Sequence, residues 1–168
     1  TVAGATLTAT YNQADTANSD EALTSYAIAW SPEMVDGLSV GYATQDDDSG
    51  ASTAHVSENT MYVKYAYGPV TLGYQTSEAD NATASNDVET SGMAISYAVS
   101  DALSLSYGEH TAETPNDATD TDQEATAISA SYTSGGMTVS ATAGSVDNIG
   151  NAATNDADTY EISMSFAF

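Results

Sequence analysis

The stretch Asp158-Thr159-Tyr160-Glu161-Ile162-Ser163-Met164-Ser165-Phe166-Ala167-Phe168 decides how the rest of the chain is read. Tyr160, Ile162, Met164, Phe166 and Phe168 share one parity, while Thr159, Glu161, Ser163, Ser165 and Ala167 take the other. Successive side chains of a strand point to opposite faces, so the stretch predicts a strand with one apolar face and one polar or small face. Termini of soluble domains are usually polar and frayed. A strand running to a terminal Phe is what a membrane-spanning barrel needs, with lipid on one side and a watery lumen on the other.

Nine upstream segments alternate in the same way. Val2–Tyr11 sets Ala3, Ala5, Leu7, Ala9 and Tyr11 against Thr6, Thr8 and Thr10. Ala22–Trp30 presents Tyr26, Ile28 and Trp30, and Leu38–Gln45 presents Leu38, Val40 and Tyr42. Thr60–Tyr67, Val70–Gln75, Gly92–Val99, Leu103–His110, Ala125–Thr133 and Met137–Gly144 follow. Four short turns, Ser31 to Gly37, Gly68-Pro69, Ser100-Asp101-Ala102 and Ser134-Gly135-Gly136, carry the Gly, Pro, Ser and Asp that tight turns use. They alternate strictly with five long polar connections. This pattern predicts one all-β domain over residues 1–168, an antiparallel up-and-down transmembrane β-barrel with its long loops at one end. Charge sorts the same way. Of 24 acids, 21 fall in the long connections and their shoulders, leaving Glu33, Asp36 and Asp101 for the short turns. A soluble sandwich has no reason to collect its acids at one end.

Composition removes several function classes. One Lys and no Arg against 24 acids give a net charge of −23, which excludes nucleic acid as a partner because phosphate binding needs cations. The same imbalance opposes docking on an anionic membrane surface. There is no Cys, hence no disulfide, thiolate metal site or thiol nucleophile. No run of eighteen apolar residues offers a membrane-spanning helix.

Followed up and down as the loop lengths dictate, the aromatics fall into two groups on the apolar face. Tyr11, Tyr42, Tyr74, Tyr107 and Tyr160 lie toward the long loops, and Trp30, Tyr67, Tyr97, Tyr132, Phe166 and Phe168 toward the short turns. Two such groups around a belt of Val, Leu, Ile, Met and Ala match the girdles expected at two lipid–water boundaries. With its Tyr160–Phe168 strand, Gly-Pro and Gly-Gly turns and repeated short strands of Ser, Thr, Ala and Tyr, the chain resembles the C-terminal part of Gram-negative general porins, especially alphaproteobacterial ones. That resemblance implies a sixteen-stranded homotrimer in the bacterial outer membrane, in contact with outer-membrane lipid and lipopolysaccharide, with its C-terminal strand addressed by the barrel-assembly machinery. It implies passive diffusion of small hydrophilic solutes and ions, with no enzymatic step and no cofactor. Ten strands would be the last ten of sixteen, although an even number also permits a self-contained barrel.

The opposite parity supplies the pore-lining candidates Tyr62, Lys64, Gln75, Ser96, Ser104, Ser106 and His110. Lys64 gives anions one foothold, while the acidic rim concentrates cations, so the expected selectivity is weakly for cations. Asp46, Asp47, Asp48, Asp120 and Asp122 offer hard oxygen ligands of the kind calcium takes, without an EF-hand spacing. Outward Ala3, Ala5, Ala9, Ala130, Ala141 and Ala143 are thin for a lipid face and suit close packing of a neighbouring protomer. Two other readings compete. One is a ten-stranded rim protease of the omptin kind, with His110 and Asp117 or Asp80 activating a water. The other is a soluble, acidic, secreted β-protein for adhesion or a surface layer.

Overall fold

The computed structural model describes residues 3–12, 22–48, 56–81, 86–114 and 121–167. They form β1 (Ala5–Asn12), β2 (Ala22–Trp30), β3 (Leu38–Asp48), β4 (Val56–Tyr67), β5 (Val70–Asn81), β6 (Val88–Ala98), β7 (Leu103–Glu113), β8 (Gln123–Ser134), β9 (Met137–Asp147) and β10 (Ala157–Phe166). One sheet holds all ten in sequence order, each antiparallel to the next. The short turns are built by local chemistry. Gly68 opens a two-residue connection at φ 55, where a Cβ would be strained. The Ser100 hydroxyl accepts from the backbone N–H of Ala102 at 3.3 Å and of Leu103 at 3.1 Å, closing the β6–β7 turn.

The register keeps each parity on one face across the whole sheet. Leu7 pairs with Ile28, Ile28 with Tyr42 and Tyr42 with Met61, all on the apolar face. Among the described residues no large apolar side chain is buried. Ile95 in mid-sheet stays 42% exposed and Ile162 on the edge strand β10 stays 80% exposed. A water-soluble monomer does not present an apolar surface of this extent, so the medium outside this face must be apolar. Trp30 sits at the short-turn end of that face, its indole N–H donating to the Ala3 carbonyl at 3.1 Å. Tyr65 and Tyr67 stack nearby, ring centres 6.4 Å apart.

The belt also reports how the strands lean. The hydrogen-bonded row starting at Ile28 continues through Tyr42, Met61, Thr76, Ser91, Thr111 and Glu124 to Asp147. It therefore begins in mid-belt on β2 and ends about six residues above the apolar Ala141 on β9. At about 3.4 Å per residue and about 4.8 Å per strand, that drift is a tilt of roughly 30°, near what closed barrels require.

Seven strands, β3 to β9, run two or more residues further toward the long loops than hydrophobic alternation indicates. β5 continues to Asn81 and β7 to Glu113, and β6 begins at Val88. The ladder does not end where the apolar belt ends, because a neighbouring strand satisfies the backbone in water as well as in lipid. As a result Tyr42, Tyr74 and Tyr107 stand in mid-strand rather than at strand ends. Above them the outward face turns polar and acidic through Asp46, Glu78, Asp80, Glu109 and Glu113. Phe168, assigned to the lower girdle by its parity, lies outside the described residues.

Leu72 pairs with Tyr65 and Ile95 in the middle of the belt. Leu72→Arg is expected to cost roughly 2–4 kcal/mol of stability in lipid vesicles, whereas Ser106→Arg on the opposite face should cost about 1 kcal/mol or less. Urea unfolding of the two variants checks this, and equal costs would contradict the assignment of faces.

Candidate functional site

The opposite face is a wall built of small and hydroxyl side chains, and its order emerges only when the strands are set side by side. One cross-strand row reads Lys64, Gly73, Ala94, Gly108, Ala127, Gly144 and Thr159. No side chain on β5 to β9 in this row is larger than a methyl group, so the backbone itself forms the floor. Toward the short turns the next row is Thr71, Ser96, Ser106, Ser129 and Thr142. The row beyond it holds Ser104, Ser131, Ser140 and Ser163. Hydroxyls in these rows bond across strands, Ser129 to Thr142 at 3.0 Å and Ser140 to Ser163 at 2.7 Å. Toward the long loops the row is Gly41, Tyr62, Gln75, Gly92, His110, Ala125 and Val146. A concavity of about 680 Å³ lies over the bare row, touching Lys64, Tyr62, Gln75 and His110 and reaching β10 at Thr159.

Tyr62, Lys64, Gln75, Ser96, Ser104, Ser106 and His110 thus share one face and three adjacent rows plus the one beyond. Tyr62 does not project freely. A Cβ built on Gly41 would overlap its ring, so the ring lies flat against the backbone of β3. Its hydroxyl is 3.5 Å from Ser39 Oγ. Lys64 forms no ion pair among the described residues.

Charge is divided unequally between the faces. Asp46, Glu78, Asp80, Glu89, Glu109, Glu113, Glu124, Asp147 and Asp158 lie on the outward parity of their strands. Of the strand carboxylates whose side chains are described, only Glu58 and Glu161 take the inward parity. Three outward glutamates even stand opposite one another, Glu78 beside Glu89 and Glu89 beside Glu113, a like-charge arrangement that disfavours pairing. Asn59 donates to Glu78 at 3.1 Å and the Tyr107 hydroxyl to Glu109 at 3.2 Å.

This division separates His110 from Asp80. His110 is inward between Gly92 and Ala125, whereas Asp80 is outward on β5 with the Ser57 hydroxyl 3.5 Å from its carboxylate. Asp117 lies outside the described residues. Of the calcium candidates, Asp120 and the side chains of Asp47 and Asp48 also lie outside them. Among the described residues no three His, Cys, Asp or Glu gather as a metal site would require, and Asp122 offers its backbone carbonyl to Asn148 Nδ2 at 2.9 Å. Hydrophobic alternation finds the wall but misses the Gly/Ala row, whose members are scattered along the chain and meet only through the register.

Gly41→Ala should push the Tyr62 ring off the wall at a cost of roughly 1–3 kcal/mol. In the Gly41→Ala/Tyr62→Ala double variant the loss should be smaller than the two single losses together, because the clash has gone. Additive losses in urea unfolding would show that the ring does not rest on Gly41.

No family model and no curated protein matches the chain. Among solved structures it is similar to the outer-membrane expressed OmpT of Vibrio cholerae, with a TM-score of 0.62 and 18% sequence identity. The match covers 98% of this chain and 60% of that one, so this chain spans about three-fifths of its neighbour's length. At that identity the likeness speaks for the fold, and it gives no particular support to the alphaproteobacterial porins. The architecture is that of an outer-membrane β-barrel, all-β, with ten antiparallel strands in up-and-down order.

Proposed function

We propose that the chain forms the wall of a porin in the bacterial outer membrane, through which small hydrophilic solutes and ions diffuse passively. The observation that carries this reading is the two-faced sheet. The large apolar belt of Leu7, Ile28, Met61, Leu72, Ile95, Ile128 and Ile162 sits on the exposed face, and the other face is built mainly of hydroxyls, Gly and Ala around a concavity. Such a wall offers water and polar solutes hydrogen bonds, and along Gly73, Ala94, Gly108, Ala127 and Gly144 no side chain rises above a methyl group. In this reading the channel performs no chemistry.

In this reading lipid surrounds the apolar belt, the acidic upper flank faces the lipopolysaccharide headgroup region, and barrels meet through the thin Ala130, Ala141 and Ala143 patch as trimers. Selectivity is weakly for cations, because Glu58 and Glu161 outweigh Lys64 on the wall and the loop acids add to them. In planar bilayers the purified protein should give discrete conductance steps. Its reversal potential in a potassium chloride gradient should favour potassium slightly, and less so as salt rises. Absence of steps from inserted protein would overturn the channel, and a preference for chloride at neutral pH would overturn the selectivity.

A further inference from the structure

We propose that Lys64 and His110 make the bare Gly/Ala row a lane for small carboxylate solutes, and that protonation of His110 strengthens it. This inference rests on the channel reading. The sequence has 24 acids, one Lys and two His, yet the two described residues able to carry positive charge both border the same concavity. Of the strand carboxylates whose side chains are described, nine face outward and only Glu58 and Glu161 face inward. The wall is therefore close to electrical balance inside a strongly acidic protein. Glu58 and Glu161 outweigh Lys64 by one negative charge among the described side chains, so one proton on His110 brings this wall to neutrality and removes its net opposition to an entering anion.

His110 is placed for this. The neighbours of its row are Gly92 on β6 and Ala125 on β8, which bear no charge, and the inward residues beside it on β7 are Gly108 and Ala112. The acids on the packed strands, Glu89 on β6, Glu109 and Glu113 on β7 and Glu124 on β8, all point to the outward side. Among the described side chains the other inward titratable groups are Tyr62, Lys64 and Glu58 on β4 and Glu161 on β10. No inward carboxylate on the flanking strands stands ready to neutralise an imidazolium. Imidazole as a side-chain type can carry or lose charge with modest changes of pH, so pH is the variable that tests this station.

The spacing suits passage rather than capture. Lys64 on β4 and His110 on β7 are three strands apart, about 14 Å of wall at about 4.8 Å per strand. A small anion meets two weak stations in turn, and conduction needs binding that is favourable enough to enter and weak enough to leave. Between them Gly73, Ala94 and Gly108 leave the floor open.

The test is the reversal potential across planar bilayers under a gradient of potassium acetate, at about pH 6 and about pH 8. Wild-type protein should show acetate permeability relative to potassium rising by about twofold or more at the lower pH. His110→Gln should abolish most of that rise. Lys64→Gln should lower acetate permeability at both pH values, and Lys64→Arg should restore it. Conductance steps in each variant report that it folds and inserts. A His110→Gln channel that keeps the full pH response, or a Lys64→Gln channel with unchanged acetate permeability, overturns the lane while leaving the porin standing. Wild-type protein that gives no steps overturns the porin itself, and the lane with it.

Discussion

A backbone amide in hydrocarbon finds no water to bond, and an unmade bond there costs several kcal/mol. That constraint accounts for the ten-strand ladder better than any side-chain contact does. Each interior strand bonds to a neighbour on both sides, and the sequential antiparallel order lets connections of two to seven residues join four of the nine neighbouring pairs at one end. Once the ladder is fixed, side chains no longer have to hold the fold together through a shared core. They are free to suit two different media, which is why Leu72 and Ile95 stand exposed on one face while Ser96 and Ser106 stand on the other. The twofold alternation of the sequence is the imprint of those media.

The same separation explains how a protein of net charge −23 can carry a nearly neutral wall. Acids gather on the outward flank above the tyrosines, where the strands have left the apolar belt and the sheet continues in water. Repulsion between Glu78, Glu89 and Glu113 is tolerated there because high dielectric and salt weaken it. On the inward face few of the described carboxylates are present. Composition alone suggests a channel ruled by its acids, whereas placement leaves the wall to Lys64, His110, Glu58 and Glu161.

Most of the fold was legible in the sequence, because a strand with lipid on one side must alternate and must place its turn residues at fixed intervals. Tyr160, Ile162, Met164 and Phe166 announce one face of β10 without reference to any other strand. What alternation could not show is where each strand stops, since Glu78, Asp80 and Glu113 belong to the ladder but have left the belt that generates the pattern. It also could not show register. Gly73, Ala94, Gly108, Ala127 and Gly144 are unremarkable small residues one at a time, and become a floor only when pairing lines them up. The partnership of His110 with Asp80 failed for a related reason. Both lie toward the long loops, but parity puts them on opposite sides of the sheet, a distinction that proximity to a rim does not capture.

The account stands on which medium each face touches, and collision mapping reads that directly. The chain has no Cys, so a single nitroxide can be attached in turn at Leu72, Ile95 and Ile128 and at Thr71, Ser96 and Ser129 without competing thiols. In reconstituted bilayers the first three should relax with dissolved oxygen, which concentrates in lipid, and the last three with a water-soluble nickel chelate. If Leu72, Ile95 and Ile128 are instead shielded from both reagents, as side chains in a packed protein interior would be, the apolar face does not meet lipid and the account is wrong.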